Sequence, residues 1–240
     1  MISCGFFKAE SVQIIPVIDI YGGKVVHASG EDRRSYPPLQ SVLTRHHQPI
    51  NVVTDLLAFY PFNIIYVADL EGIFHQQMNR ILYEQLAVDF PEVIFWIDAG
   101  IQSQQQWTTL NRVLNIQAVI GSESLQDLSV LTSAKHGLLS LDFQNGAFLG
   151  QPEIWQQPEL WPNKVIAMNL DNVGAQEGPD FTLLRTIQKK RVDVEVIAAG
   201  GVRSLQDLQK LAQQNIFGAL IASALHNGNL SAEQLRQFQP

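Results

Sequence analysis

The chain has 240 residues, of which 46% are hydrophobic and 16% charged, enough apolar material for a large core and too little charge for a disordered chain. The net charge of −7, with basic runs no longer than pairs such as Arg33-Arg34 and Lys189-Lys190, argues against a nucleic-acid surface. No segment approaches the roughly 18 apolar residues that a membrane helix needs. The single cysteine, Cys4, excludes an intrachain disulfide and a Cys-x-x-Cys zinc site. It precedes the first predicted strand and reads as incidental rather than as a nucleophile. Residues 1–8 lack the apolar stretch of a secretory signal, so a cytoplasmic protein is expected.

Eight short apolar, β-branched runs then alternate with longer mixed segments. They are Val12–Ile18, Ile64–Val67, Val93–Ile97, Ala118–Ile120, Leu138–Leu141, Lys164–Met168, Val194–Ala198 and Ala219–Ile221. Near-continuous apolarity marks strands covered on both faces, as in a parallel sheet. Helical spacing of apolar residues predicts helices over Val52–Phe59, Asn79–Val88, Gln104–Leu114, Leu125–Leu131, Phe181–Gln188 and Leu205–Gln213. Ser103, Ser124, Asp180 and Ser204 stand where N-caps belong. His46-His47 reads as a solvated helix start, and Trp155 and Trp161 as packing in the outer helical layer. Such alternation fits a closed barrel or a doubly wound open sheet.

An internal repeat favours the barrel. Gly100-Ile101-Gln102-Ser103 after strand three matches Gly201-Val202-Arg203-Ser204 after strand seven, and Gly121-Ser122 after strand four matches Ala222-Ser223 after strand eight, both at an offset of 101 residues. Asp69-Leu70-Glu71 matches Asn169-Leu170-Asp171 at 100, and Ile18-Asp19 matches Leu141-Asp142 at 123, the excess lying in a long first loop through Glu31–Gln48. The expected fold is α/β: one (β/α)8 barrel domain over 1–240, made of two similar half-barrels.

The repeat puts Asp19 and Asp142 at the C-terminal ends of opposite strands, on the face where barrels place catalysis. A carboxylate ending an apolar strand is costly unless it meets water or a partner. Two that face each other can divide the roles of general base and general acid. The other strand ends are small. Glycine lets backbone approach an oxyanion, and a following helix start offers N–H groups. Gly200, Gly201, Ala222 and Ser223 form one phosphate-site candidate, and Gly100, Gly121 and Ser122 a second. Arg33 and Arg34 in the first loop are candidates to clamp a phosphate or carboxylate. The histidines show no metal-ligand spacing, so no metal or cofactor is expected. Asp98, beside the second phosphate candidate, would repel an anion unless turned away or paired.

The motifs Ile14-Ile15-Pro16-Val17-Ile18-Asp19-Ile20, Gly23-Lys24-Val25-Val26, Val67-Ala68-Asp69-Leu70-Glu71-Gly72, Ser140-Leu141-Asp142, Ala199-Gly200-Gly201-Val202 and Ser223-Ala224-Leu225 resemble those of the phosphoribosylformimino-aminoimidazole-carboxamide ribotide isomerase of histidine biosynthesis. They are also similar to those of its sister, the cyclase subunit of imidazole glycerol phosphate synthase. The resemblance covers Ile14 to about Gly228. It implies a half-barrel repeat, two phosphate sites, no metal, and Asp19 and Asp142 as base and acid of an Amadori rearrangement. The chain departs from the isomerase pattern at Asp98-Ala99, Gln102, Gln151, Met168, Val173-Gly174 and Ala222-Ser223. With Arg33 and Tyr36-Pro37, these positions look more like a divergent branch seen in methanogens and one-carbon-metabolising bacteria. The expected function is thus an isomerase of a small phosphorylated aminosugar or ribotide. The alternatives are a step in making a methanopterin- or methanofuran-type coenzyme, and a non-catalytic phosphate-ester-binding barrel. No nucleic-acid or membrane partner is expected.

Overall fold

A computed structural model describes residues 11–28, 36–174 and 178–238. Eight parallel strands carry the architecture: β1 (Gln13–Tyr21), β2 (Ile64–Asp69), β3 (Ile94–Asp98), β4 (Ile116–Gly121), β5 (Leu138–Gln144), β6 (Lys164–Asn169), β7 (Glu195–Ala199) and β8 (Gly218–Ile221). Each overlaps one of the apolar runs read from the sequence, those at Val12, Val93 and Val194 beginning one residue ahead of their strands, and each pairs with the next. The last strand returns to the first, with Gln13 opposite Gly218 and Pro16 opposite Ile221. That pairing closes the sheet, and the chain is a (β/α)8 barrel. Cys4 lies outside the described residues.

The strands are buried on both faces, but the two faces do different work. Side chains alternate along a strand, so residues two apart share a face. Ile15, Tyr66, Trp96, Val119, Leu138, Ile166, Ile197 and Leu220, one from each strand, pack together inside the barrel. A larger apolar layer, with Ile14, Ile18, Val67, Ile97, Ile120 and Leu141, packs outward against the helices. At about 1.5–3 kcal/mol per fully buried large apolar side chain, these two layers dominate the favourable side of folding. Counting two or four residues on from the interior set reaches Val17 and Asp19, Ala68, Asp98, Gly121, Ser140 and Asp142, Met168, Ala199 and Ala222. The inner face thus changes from apolar to polar towards the C-terminal ends.

The half-barrel repeat is present in hydrogen-bond detail. A two-residue turn with both central φ values positive follows β1 (Gly22 +58°, Gly23 +70°) and β5 (Asn145 +52°, Gly146 +71°). This geometry suits Gly and Asn and matches strand twist. The turns lead to short return strands, Lys24–Val26 and Ala147–Leu149, that the sequence did not announce. They place Asp19 opposite Val26 and Asp142 opposite Leu149. Gly22 N–H donates to Glu71 Oε2 (3.0 Å), and Asn145 N–H donates to Asp171 Oδ2 (2.8 Å), the same contact in each half.

Ser103, Asp180 and Ser204 cap helices as expected. Ser124 does not. Gln126 and Asp127 N–H groups donate instead to Gln102 O, and the helix runs over Ser129–Ser133 instead of Leu125–Leu131. The helix expected over Gln104–Leu114 stops at Leu110. There Asn111 donates Nδ2 to Trp107 O and accepts Ala118 N–H, so its amide ties the helix end to β4. An additional helix, Leu70–His75, is capped by Asp69, whose carboxylate accepts from Glu71 and Gly72 N–H. His46 and His47 are exposed ahead of a helix that begins at Pro49. Trp161 is buried in the outer layer, donates to Ile154 O and stacks on Trp155. Among the described residues no helix is long and apolar enough to cross a membrane.

Candidate active site

The polar strand ends surround one cavity, with about 1000 Å³ of space between atoms and an open mouth. Asp19 and Asp142 both line it, from opposite sides of the barrel. Four carboxylates contribute to its wall, those of Asp19, Asp98, Glu123 and Asp142, and Arg203 is the cation among the described lining residues.

Asp142 is held from several sides. Its Oδ1 accepts the Ser140 hydroxyl (2.6 Å), and its Oδ2 accepts Glu123 N–H (3.1 Å). Ser122 Oγ lies 3.1 Å from Oδ2, accepts Asp142 N–H (2.9 Å) and reaches Leu149 O at 2.7 Å. These contacts leave the carboxyl one orientation. Burial, followed by the charges of Glu123 and Asp98, pushes its pKa up to about 7, against the hydrogen bonds from Ser140 and Glu123 N–H that favour the anion. Asp142 therefore exchanges a proton near neutral pH. Asp19 is half-buried.

Asp98 is paired, as the repulsion argument required. Its carboxylate accepts the Tyr66 hydroxyl (3.0 Å) and Gly100 N–H (3.2 Å). Gly121 sits between it and Asp142: a β-carbon there would contact Asp142 Oδ2 at 3.6 Å and both Asp98 oxygens at 3.7 Å. Burial, with the nearby charges of Asp98, Asp142 and Asp19, holds the Tyr66 phenol well above its ordinary pKa, so it stays protonated.

The two phosphate candidates are placed differently. Gly200, Gly201, Ala222 and Ser223 all line the cavity. Gly200 and Gly201 have φ of +92° and +83°. Any side chain on Gly201 would overlap the Gly178 carbonyl. Gly100, Gly121 and Ser122 are not in the cavity wall. Gly100 is packed beneath the helix that follows β2, its carbonyl accepting from Gln76 Nε2 (3.0 Å). Arg33 and Arg34 lie outside the described residues; the next described residue of that loop, Tyr36, reaches the cavity. Met168, Val173 and Gly174 also line it, whereas Gln151 lies to the side and ties Leu125 O and Gln126 O.

Sequence reasoning passed over Tyr66, Ser140, Glu123 and Arg203. Tyr66 and Ser140 were hidden inside apolar strand runs, where only the parity of inward-facing positions separates a wall residue from a core residue. Arg203 was visible at the end of the Gly200-Gly201-Val202 turn, equivalent to Gln102 in the repeat. No group of three or more His, Cys, Asp or Glu that could hold a metal occurs among the described residues.

Similarity to known proteins follows the same lines. The chain is 29% identical over 231 residues to an uncharacterised protein of Methanocaldococcus jannaschii, MJ0703, covering 93% of this chain and 97% of the relative. It is 27% identical over 246 aligned positions to the 1-(5-phosphoribosyl)-5-((5-phosphoribosylamino)methylideneamino) imidazole-4-carboxamide isomerase of Bacillus cereus, covering 94% and 98% of the two chains. The like-named isomerase of Methanosarcina barkeri is 26% identical over 241 positions, covering 92% and 95%. The family model described as histidine biosynthesis protein matches residues 13–231, from the first barrel strand past the last, and the chain belongs to that family.

Proposed function

We propose that this protein is an acid–base isomerase acting on a small phosphorylated aminosugar or ribosylamine, with Asp142 as general acid and Asp19 as general base. The observation that carries the reading is Asp142. It is a buried carboxyl at a barrel strand end, fixed by neighbouring donors, with a pKa of about 7 and a second carboxylate across the same cavity. A general acid works best when its pKa lies near the working pH.

In an Amadori rearrangement, Asp142 gives its proton to the ring oxygen as the C1–O bond breaks, which opens the sugar to a Schiff base. Asp19 then takes the C2 proton, and the electron pair moves towards C1 to form an enolamine. Tautomerisation of the enolamine yields the ketone. Ser140 and the Glu123 N–H, which bond the Asp142 carboxylate, stabilise it once it has lost its proton. The turns after β7 and β8 hold the substrate phosphate and so keep C1 and C2 in register with the two carboxyls. The relatives from Bacillus cereus and Methanosarcina barkeri are named as isomerases, which supports this class of reaction.

A second reading keeps the chemistry but changes the pathway to the assembly of a one-carbon carrier coenzyme. Met168, Val173 and Gly174 favour it, because these departures from the isomerase pattern all face the cavity.

The test is incubation in D2O with the histidine-pathway ribotide and, separately, with ribosylamine 5-phosphate, following the C2 proton by NMR. Wild-type protein is expected to exchange or turn over one of them. Asp19→Asn and Asp142→Asn should each lose about 100-fold or more, the usual contribution of a positioned acid or base. Unchanged rates in both folded variants would overturn the roles assigned. Inactivity of the wild type on both compounds would favour the second reading, or a barrel that binds phosphate esters without turnover.

A further inference from the structure

Ser122 makes more contacts beside Asp142 than one hydroxyl proton can serve. Ser122 and Ser140 are fully buried, so protein atoms supply their hydrogen-bond partners. Two pairings place Ser122. Gly121 lies opposite Ser140 where β4 meets β5, and the return strand after β5 sets Leu149 opposite Asp142. Gly150 lets that strand close on Ser122, because a β-carbon at Gly150 would overlap the Ser122 carbonyl.

A hydroxyl has one proton to give and two lone pairs. Ser122 Oγ accepts Asp142 N–H (2.9 Å), and it lies 2.7 Å from Leu149 O and 3.1 Å from Asp142 Oδ2. Leu149 O is a carbonyl and can only accept, so this shorter contact takes the Ser122 proton. Without a proton between them, Ser122 Oγ and Asp142 Oδ2 would face each other lone pair to lone pair. The carboxyl is the group left to provide that proton. Ser140 settles the other oxygen: its hydroxyl donates to Oδ1 (2.6 Å), which is thereby the carbonyl oxygen of the acid.

We infer that Ser122 is a positioning residue for the general acid. It accepts the Asp142 proton on Oδ2 while that proton is held, and turns its own hydroxyl onto Oδ2 once the proton has gone to substrate. The inference rests on the acid role proposed for Asp142. The turn is a rotation about the Cβ–Oγ bond and moves no heavy atom. It exchanges a neutral hydrogen bond to Leu149 O for one to a carboxylate, which is roughly twice as strong. Ser140, Glu123 N–H and Ser122 then all donate to the anion, so the site is bonded on both sides of the proton transfer. The titratable groups facing Asp142 are Glu123 beyond β4, Asp98 at the end of β3 and the Tyr66 phenol of β2, while its neighbour on β6 is the uncharged Met168.

Carbon NMR of isotopically labelled protein from about pH 5 to 9 tests this, following the Asp142 side-chain carboxyl and the Leu149 backbone carbonyl. In the wild type both are expected to titrate with one midpoint, near 7, because Leu149 O loses its donor as Asp142 loses its proton. In Ser122→Ala the Asp142 carboxyl should still titrate while the Leu149 carbonyl stays flat. In Asp142→Asn the Leu149 carbonyl should be flat as well, which separates the hydroxyl's turn from titration of Glu123 or Asp98. A wild-type Leu149 signal that ignores the Asp142 titration, or follows it equally in Ser122→Ala, would overturn the inference and leave the acid role of Asp142 intact. An Asp142 carboxyl that does not titrate in this range would overturn the acid role and the inference with it. On the compound that the wild type turns over, Ser122→Ala should lose about 10-fold in kcat with KM within about twofold. Wild-type kcat in that variant would overturn the positioning role.

Discussion

If Asp142 is protonated in the folded protein up to about pH 7, the stability of the barrel must fall as pH rises. In the unfolded chain the carboxyl titrates near 3.8, and in the folded chain near 7. Between those values the folded state holds a proton that the unfolded state has released, so raising pH favours unfolding. A gap of roughly 3 pH units is worth about 4 kcal/mol across the interval. His226 acts in the opposite direction. Burial, followed by the charge of His27, lowers its pKa from 6.5 to about 4, so the unfolded chain binds the extra proton and stability rises with pH over that range. The two effects oppose each other between about pH 4 and 6.5, and wild-type stability alone would hide both. The informative quantity is the difference between wild type and Asp142→Asn, measured by urea unfolding from pH 4 to 8.5. It should move by several kcal/mol against the wild type as pH rises, with the steep part ending near 7. A difference that stays flat within about 0.5 kcal/mol would refute the buried, protonated carboxyl, since each pH unit of gap is worth about 1.4 kcal/mol.

Other substitutions test the framework around the site. Gly201→Ala and Gly146→Ala both place a side chain at positive φ, but only the former meets backbone, the Gly178 carbonyl, while nothing lies within 4 Å of a β-carbon at Gly146. Gly146→Ala should cost about 1 kcal/mol and Gly201→Ala about 2 kcal/mol more, with weakened phosphate-ester binding, as read by thermal unfolding and calorimetry. Asp69→Ala removes an acceptor for Glu71, Gly72 and Asn79 N–H and for the Tyr83 hydroxyl. It should destabilise by roughly 3–5 kcal/mol in urea, with Asp69→Asn recovering part of the loss. Tyr66→Phe takes the hydroxyl from Asp98 and should cost about 1–3 kcal/mol in the same measurement, because the carboxylate beside it is buried.

The sequence by itself determined much of the architecture. Eight apolar runs separated by helical segments identified the strands, because strands buried on both faces must be apolar throughout. The equal spacing of Gly100 and Gly201, and of Ser122 and Ser223, identified the repeat. Capping chemistry at Ser103, Asp180 and Ser204 was legible because it is local. Asp19 and Asp142 could be picked out because a charge ending an apolar strand needs a reason. What only the tertiary structure decided was everything that depends on distant partners. Pairing of Gln13 with Gly218 closed the sheet, and no local pattern encodes which edges meet. The parity of inward positions, fixed by that closure, made Tyr66, Asp98 and Ser140 neighbours of Asp142. The fate of individual N–H groups was decided in the same way. Gly100 N–H takes a local acceptor, Asp98, two residues back, but Ser122 N–H donates to Ser140 O and Glu123 N–H to Asp142 Oδ2, acceptors that only the pairing of β4 with β5 brings alongside.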